Sequence, residues 1–218
     1  MKPAAFLFDL DGTLVDTEEL WTGAIADMLA ARGVDVATAE ILPEVVGRNW
    51  LDIDRHLHEK YPVMGESGPD EDAVELRGFY SRRATDPSAL VVKSSVEFFR
   101  KAARIAPCAI VSGSPHDDIL EAARLCGIDG DLALALGAGE YEAGKPSPSG
   151  FLRAASLLGV DAERCVVVED SSVGVAAGVA AGMKVIALDR RSNPPQDLGG
   201  CMWKVRDLSE FDFEGEFS

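Results

Sequence analysis

Short apolar runs recur along the chain at residues 5–10, 108–111, 165–168 and 185–188, with 132–136 as a candidate fifth. Within each run the apolar positions follow one another without alternating with polar ones. That is the pattern of strands buried on both faces. Between the runs, apolar residues return at helical spacing over 96–105, 117–126, 149–158 and 173–181. "SSVE" at 94–97 has the form of a capping box, with Ser94 as N-cap and Glu97 reaching back. Gly127, Gly159 and Gly182 follow their helices where a left-handed C-cap is wanted. Strands alternating with helices predict an α/β fold, a doubly wound, Rossmann-like parallel sheet with helices on both faces.

Residues 17–87 break this rhythm. "EELWTGAIADMLAARG" and the segments 53–61 and 72–83 have helical spacing, and "YPVMGESGPDED" is a loop rich in glycine, proline and acids. No strand is predicted there. The expected organisation is a core domain of residues 1–16 and 88–218 with a small all-helical cap, residues 17–87, inserted after the first strand. An insert at the carboxyl end of a strand is well placed to cover a site. In "GVAAGVAAG", 174–182, glycine returns at every fourth position as in packed membrane helices, but Asp170 and Lys184 leave too short a run to span. Close packing of a small-residue helix on the sheet explains it better. The acidic tail "DLSEFDFEGEFS" fits either a solvated end or a docking strand.

Composition narrows the function. The 218 residues are 47% hydrophobic and 27% charged, an ordinary globular balance, and carry a formal net charge of −16. Such a field repels nucleic acid and anionic membranes. A small anionic substrate remains compatible if a metal and a few placed cations reverse the sign locally. Cys108, Cys126, Cys165 and Cys201 form no C-x-x-C pair, which argues against a zinc knuckle or redox dithiol and for a reducing cytoplasm. His56, His58 and His116 have no spacing that suggests a ligand set. The apolar stretch near the N-terminus is broken by Asp9, too short for a signal peptide or a span. A monomer is expected.

Four pieces carry candidate chemistry, each at or just beyond the end of a predicted strand: D-L-D-G-T at 9–13, S-G-S at 112–114, G-K-P at 144–146 and E-D at 169–170. Asp9 and Asp11, two apart on an extended segment, face the same way. Both ionise only if a cation compensates. Glu169 and Asp170 would bring four acids to one hard cation, and all-oxygen ligands favour magnesium over zinc. An Asx turn explains Asp11-Gly12 by itself, but neither Asp9 nor the second acid pair. Ser112, Gly113 and Ser114 can offer hydroxyl and backbone N–H groups to phosphate oxygens, or simply cap the next helix. Lys145 is either a solvated surface charge or the core cation that holds phosphate against so many acids.

In this order and spacing the four motifs resemble the haloacid dehalogenase-like superfamily over essentially the whole chain. The helical insert resembles the type-1 cap of the group that contains beta-phosphoglucomutase and many sugar-phosphate phosphatases. The resemblance implies a magnesium-dependent phosphatase acting on a small phosphorylated metabolite, with a sugar phosphate expected. Asp9 would be the nucleophile, forming an aspartyl-phosphate. Asp11 would protonate the leaving oxygen, then deprotonate the attacking water, and bind magnesium through its carbonyl. Ser112, Gly113 and Lys145 would hold the transferred phosphoryl group, and Glu169 and Asp170 would complete the metal site with Asp9, Asp170 more directly than Glu169. A phosphoglucomutase-like isomerase is the alternative. The mutases resembled here carry a histidine on the first cap helix, and this chain has Trp21 at that position. "VVGRN" at 45–49 makes Arg48 the cap residue expected to grip substrate.

Overall fold

The apolar runs become the strands of one sheet in a computed structural model that describes residues 2–45, 48, 50–190 and 196–217. The strands are β1 (Ala5–Phe8), β2 (Cys108–Val111), β3 (Leu132–Leu136), β4 (Cys165–Glu169), β5 (Lys184–Leu188) and β6 (Trp203–Val205). Their order is β3-β2-β1-β4-β5-β6, and every pairing is parallel. This is the doubly wound α/β fold expected from the alternating pattern. The chain divides into two compact units, Met1–Asp16 with Val91–Ser218, and Thr17–Leu90.

Period-two geometry sends alternate residues of each strand to opposite faces, so an unbroken apolar run supplies two cores. Phe6, Phe8, Cys108, Ile110, Val166, Val168, Ile186 and Leu188 enter one, packed by Phe98 and Phe99 of α5 (Lys93–Ala103) and Ile119 of α6 (His116–Cys126). Ala5, Leu7, Ala109, Val111, Val167, Val185 and Ala187 enter the other, covered by Phe151 of α7 (Ser149–Leu158) and Val175 of α8 (Ser172–Ala180). The small-residue stripe of α8 acts as expected. A Cβ on Gly178 would lie 2.8 Å from Val185 Cγ2, so a side chain there would lift the helix off the sheet. Cys108, Cys126 and Cys165 are buried and unpaired, and burial pushes the Cys126 and Cys165 thiols up to about 11.

The described residues of the unit Thr17–Leu90 form helices and no strand. These are α1 (Glu18–Ala31), α2 (Thr38–Val45), α3 (Trp50–Lys60) and α4 (Pro69–Arg83), around a core of Ala24, Ile25, Met28, Leu29, Ile41, Leu57 and Leu76. Trp21 stacks on Tyr80 with ring centroids 4.0 Å apart, and Arg83 grips Asp27 through two hydrogen bonds of 2.6 and 2.8 Å. Val46, Gly47 and Asn49 of the "VVGRN" stretch lie outside the described residues. Among the described residues no helix is long and apolar enough to cross a membrane.

Several local expectations need correction. Ser94 is not the N-cap of α5; the helix starts at Lys93 after Val92, and Ser94 Oγ donates to Asp207 Oδ2 at 2.8 Å. β1 stops at Phe8, because the Leu10 carbonyl turns to accept from the N–H groups of Thr13, Leu14 and Val15. The acidic tail is neither solvated end nor strand. It forms a short helix, α9 (Phe213–Phe217), which buries Phe213 and Phe217 against Phe6 with centroids 6.0 and 5.2 Å away. The exposed acids Glu214 and Glu216 face away from that core.

Truncating a buried phenylalanine removes its transfer energy and leaves a cavity. Phe217→Ala should therefore cost about 3–5 kcal/mol in urea unfolding. Glu214→Ala on the same helix should change stability by less than about 0.5 kcal/mol.

Candidate active site

β1 and β4 are neighbours at the point where the strand order reverses, the place where open α/β sheets bind ligands. Asp9 follows β1 directly and stays on the ladder, its N–H donating to the Val168 carbonyl at 2.9 Å. Glu169 ends β4 and Asp170 follows it. All three acids are buried, and one carboxylate oxygen from each lies within 4.8 Å of the others.

Lys145 reaches into this group from the loop before α7. Its Nζ donates to Asp9 Oδ1 and, at 2.6 Å, to Glu169 Oε1, and stands 5.3 Å from the Phe151 ring centroid. The other Glu169 oxygen, Oε2, accepts from the N–H groups of Asp170 and Ser171, each at 2.8 Å, and from Ser171 Oγ at 2.9 Å. Both oxygens of Glu169 are thus engaged. Asp170 Oδ1 accepts from Thr13 Oγ1 at 3.1 Å.

Two glycines make room for these acids. Gly12 has φ +84°, and a Cβ there would fall 2.1 Å from Asp170 Oδ2. A Cβ on Gly174 would fall 1.7 Å from Glu169 Oε1. The first position requires both the left-handed conformation and the missing side chain.

Around Asp11 the site is more open. Asp11 Oδ2 accepts from Ser114 Oγ at 2.7 Å. Ser112 is buried at the end of β2, where its Oγ accepts from the Ser114 N–H at 3.0 Å and its carbonyl from Tyr141 OH at 2.8 Å. Gly113 is exposed in the turn between β2 and α6. The fold therefore brings Asp9, Lys145, Glu169 and Asp170 into one buried cluster and ties Asp11 to the S-G-S turn. Arg48 lies in the helical unit, exposed after α2, with its N–H bonded to the Val45 carbonyl at 3.1 Å.

Thr13, Ser171, Tyr141 and Arg190 were not assigned roles from sequence. Arg190, just beyond β5, donates to the Gly12 carbonyl at 2.8 Å and to Asp16 Oδ2 at 2.6 Å, and so holds both ends of the loop that carries Asp11. Its position past the carboxyl end of a strand was the available signal. For Tyr141 no local motif marks the role.

Burial raises the Asp9 carboxyl well above the usual carboxylate range; Lys145 opposes this, and the charges of Glu169 and Asp170 add to it. Burial alone would lower the Lys145 ammonium, but Asp9 and Glu169 outweigh it and raise it. With all three carboxylates ionised, the cluster with Lys145 carries a local charge of −2. A hard divalent cation with oxygen ligands fits that donor set and its charge. Asp11 is outside the three-carboxylate group.

Comparison with known proteins agrees with this geometry. The family model for haloacid dehalogenase-like hydrolases matches residues 3–182. Hexitol phosphatase A of Escherichia coli K12 is 31% identical over 207 residues, covering 90% of this chain and 88% of that protein. A HAD family hydrolase from Deinococcus radiodurans R1, solved with bound phosphate and sodium, is 28% identical at a TM-score of 0.70, covering 95% of this chain and 92% of the other. The beta-phosphoglucomutase of Clostridium difficile shares the fold at a TM-score of 0.81 and 23% identity, covering 99% and 96%.

A carboxyl group whose folded pKa is raised binds its proton more tightly folded than unfolded. Its ionisation therefore destabilises the fold above the raised pKa, and the effect vanishes as pH falls below the unfolded value. In EDTA at neutral pH, Asp9→Asn should melt at a higher temperature than the native chain. The difference should shrink toward zero as pH falls to about 4, the unfolded carboxylate range. Melting curves across pH check both the sign and the window.

Proposed function

As this chain belongs to the haloacid dehalogenase-like hydrolases, we propose that it is a magnesium-dependent phosphatase for a small phosphorylated sugar or sugar alcohol. The observation that carries this reading is the Lys145 ammonium bridging Asp9 and Glu169 beside Asp170, at the carboxyl ends of β1 and β4. A carboxylate nucleophile, a fixed cation and an acidic metal site then converge on one phosphoryl group.

Lys145 engages Asp9 Oδ1, which leaves Oδ2 to attack phosphorus. The bond from Oδ2 to phosphorus forms as the bond to the leaving alcohol oxygen breaks, and Asp11 donates a proton to that oxygen. The aspartyl-phosphate on Asp9 is then attacked by water. Asp11 takes a proton from the water as the acyl phosphate bond breaks, releasing inorganic phosphate and restoring Asp9. Ser112 Oγ and the Gly113 N–H are the donors proposed for the phosphoryl oxygens, and Lys145 offsets their charge. Asp9, Asp170 and the Asp11 carbonyl would hold magnesium, which when bound supplies the positive charge that lets a carboxylate approach a phosphate dianion.

Phosphoryl chemistry takes support from Asp11, since an acid there serves a leaving alcohol, and the hydrolase reading from the hexitol phosphatase relative. Trp21, standing where the resembled mutases carry a histidine, is stacked on Tyr80. The helical unit Thr17–Leu90 is the proposed cap, with Arg48 its candidate contact to the distal end of substrate.

Phosphate release from a panel of hexose, hexitol and pentose phosphates, phosphoglycolate and nucleotides tests the reading. Magnesium should be required, EDTA should abolish turnover, and zinc should restore it poorly. Asp9→Asn should reduce turnover to background, whereas Asp11→Asn should lower kcat by about 10²–10⁴-fold. Near-normal activity of Asp9→Asn would refute the covalent route. Conversion of glucose 1-phosphate to glucose 6-phosphate, with a bisphosphate activator and no net phosphate release, would make the protein a mutase.

A further inference from the structure

A second cluster of ligating atoms lies within the helical unit and serves no step of the proposed reaction. Asp54 and His58 stand one turn apart on α3, an i, i+4 pair that shares a helix face, and Asp72 joins them from the first turn of α4. One oxygen or nitrogen from each lies within 4.8 Å of the others. His58 Nε2 is 2.8 Å from Asp72 Oδ2 and 3.8 Å from Asp54 Oδ1.

The Asp54 side chain is only 9% exposed, and among the described residues its Oδ1 has no hydrogen-bond partner. A buried carboxylate oxygen left unpaired is costly, and such atoms mark places where a cation or an ordered water is wanted.

Asp72 shows the opposite arrangement. Its Oδ1 accepts from Arg32 at 2.8 Å and from Ser67 Oγ at 2.9 Å, and Oδ2 accepts from Ser67 Oγ at 3.0 Å. Arg32 also pairs with Glu75. The Arg32 and Glu75 charges cancel, so Asp54 and Asp72 leave a net −2 beside a histidine nitrogen. Hydrogen bonds that fix a ligating carboxylate from behind are the usual outer support of a metal site.

We propose that Asp54, His58 and Asp72 form a second metal site, for a borderline divalent cation such as zinc, that staples α3 to α4. One imidazole nitrogen with two carboxylate oxygens is a donor set for zinc rather than for magnesium. Tetrahedral ligands bound at zinc distances stand roughly 3.4 Å apart. The two His58 separations, 2.8 and 3.8 Å, bracket that value, so small side-chain movements suffice. A water would complete the fourth position. The signal was absent from sequence spacing because Asp72 lies 14 residues beyond His58, on another helix.

The test uses the full chain with Asp9→Asn and Asp170→Asn, so that the acidic site of the sheet unit no longer competes for metal. After EDTA treatment and its removal, zinc is titrated by calorimetry and the melting curve recorded. One equivalent of zinc should bind and raise the melting temperature, and excess magnesium should not displace it. Adding Asp54→Asn or His58→Gln should weaken zinc binding by about 100-fold or more, since losing an outer support alone costs roughly 10–100-fold. Cobalt in place of zinc should give the visible spectrum of a tetrahedral nitrogen and oxygen site in the double variant, where Asp54, His58 and Asp72 are all in place. Failure of the double variant to bind an equivalent of zinc, or unchanged affinity after Asp54→Asn, would overturn the proposal. A histidine merely hydrogen-bonded between two acids predicts those outcomes.

Discussion

The placement of one ammonium between two buried carboxylates constrains most of what surrounds it. Lys145 is largely withdrawn from water where it sits against Asp9 and Glu169. Dehydrating three charges is favourable only if each finds further partners in good geometry. Glu169 meets that condition with two backbone N–H groups and a hydroxyl on its second oxygen, which requires the chain to turn sharply from β4 into α8. The turn in turn requires a helix start without side chains at the point of contact, and Gly174 provides it. The parallel pairing of β1 with β4 is what delivers Asp9 to the same place. Sheet order, helix start and loop composition are in this sense consequences of one electrostatic arrangement.

The same arrangement explains how a chain of net charge −16 is suited to a phosphorylated substrate. Long-range repulsion is screened over about 8–10 Å at ordinary salt, so the local charge governs recognition. Locally the acids outnumber the lysine, and a divalent cation would bring the site close to neutral before a dianion enters. Stability is reduced in exchange: the buried Asp9 carboxylate is held in a form that the fold alone does not favour. Functional sites commonly carry such local conflicts.

What was legible in the sequence followed from how local each signal was. Unbroken apolar runs marked β1, β2, β4 and β5 because burial on both faces imposes the same demand on every residue of the strand. β6 has only Trp203, Lys204 and Val205, too short to differ from a loop. The tail misled because Phe211, Phe213 and Phe217 are spaced among acids in a way that fits a strand edge. Their burial depends on Phe6 and Phe98, which lie more than a hundred residues earlier. Ser94 failed as a cap for a similar reason, since Asp207 offers its hydroxyl a partner that no local pattern announces. The four acids of the site were visible as motifs at strand ends. Thr13 and Ser171, which donate to Asp170 and Glu169, act across the tertiary structure or through a backbone turn and leave no comparable trace; Arg190, which pins the loop that carries Asp11, is signalled only by its place past a strand end.

Adjacent acids need not share a task, and Glu169 with Asp170 illustrates why. As the last residue of β4, Glu169 points into the layer beneath the sheet's end and is fully buried. Its oxygens are spent on Lys145, on two N–H groups and on Ser171. A cation drawn to Glu169 would have to displace one of those bonds. Asp170 lies one residue further, past the strand, against the loop that carries Gly12 and Thr13. That loop also contains Asp11, so a metal between Asp9 and Asp170 would be within reach of the Asp11 backbone. On the proposed mechanism Glu169 would position the lysine and Asp170 would serve the metal, a division that fits the end of β4 at Glu169.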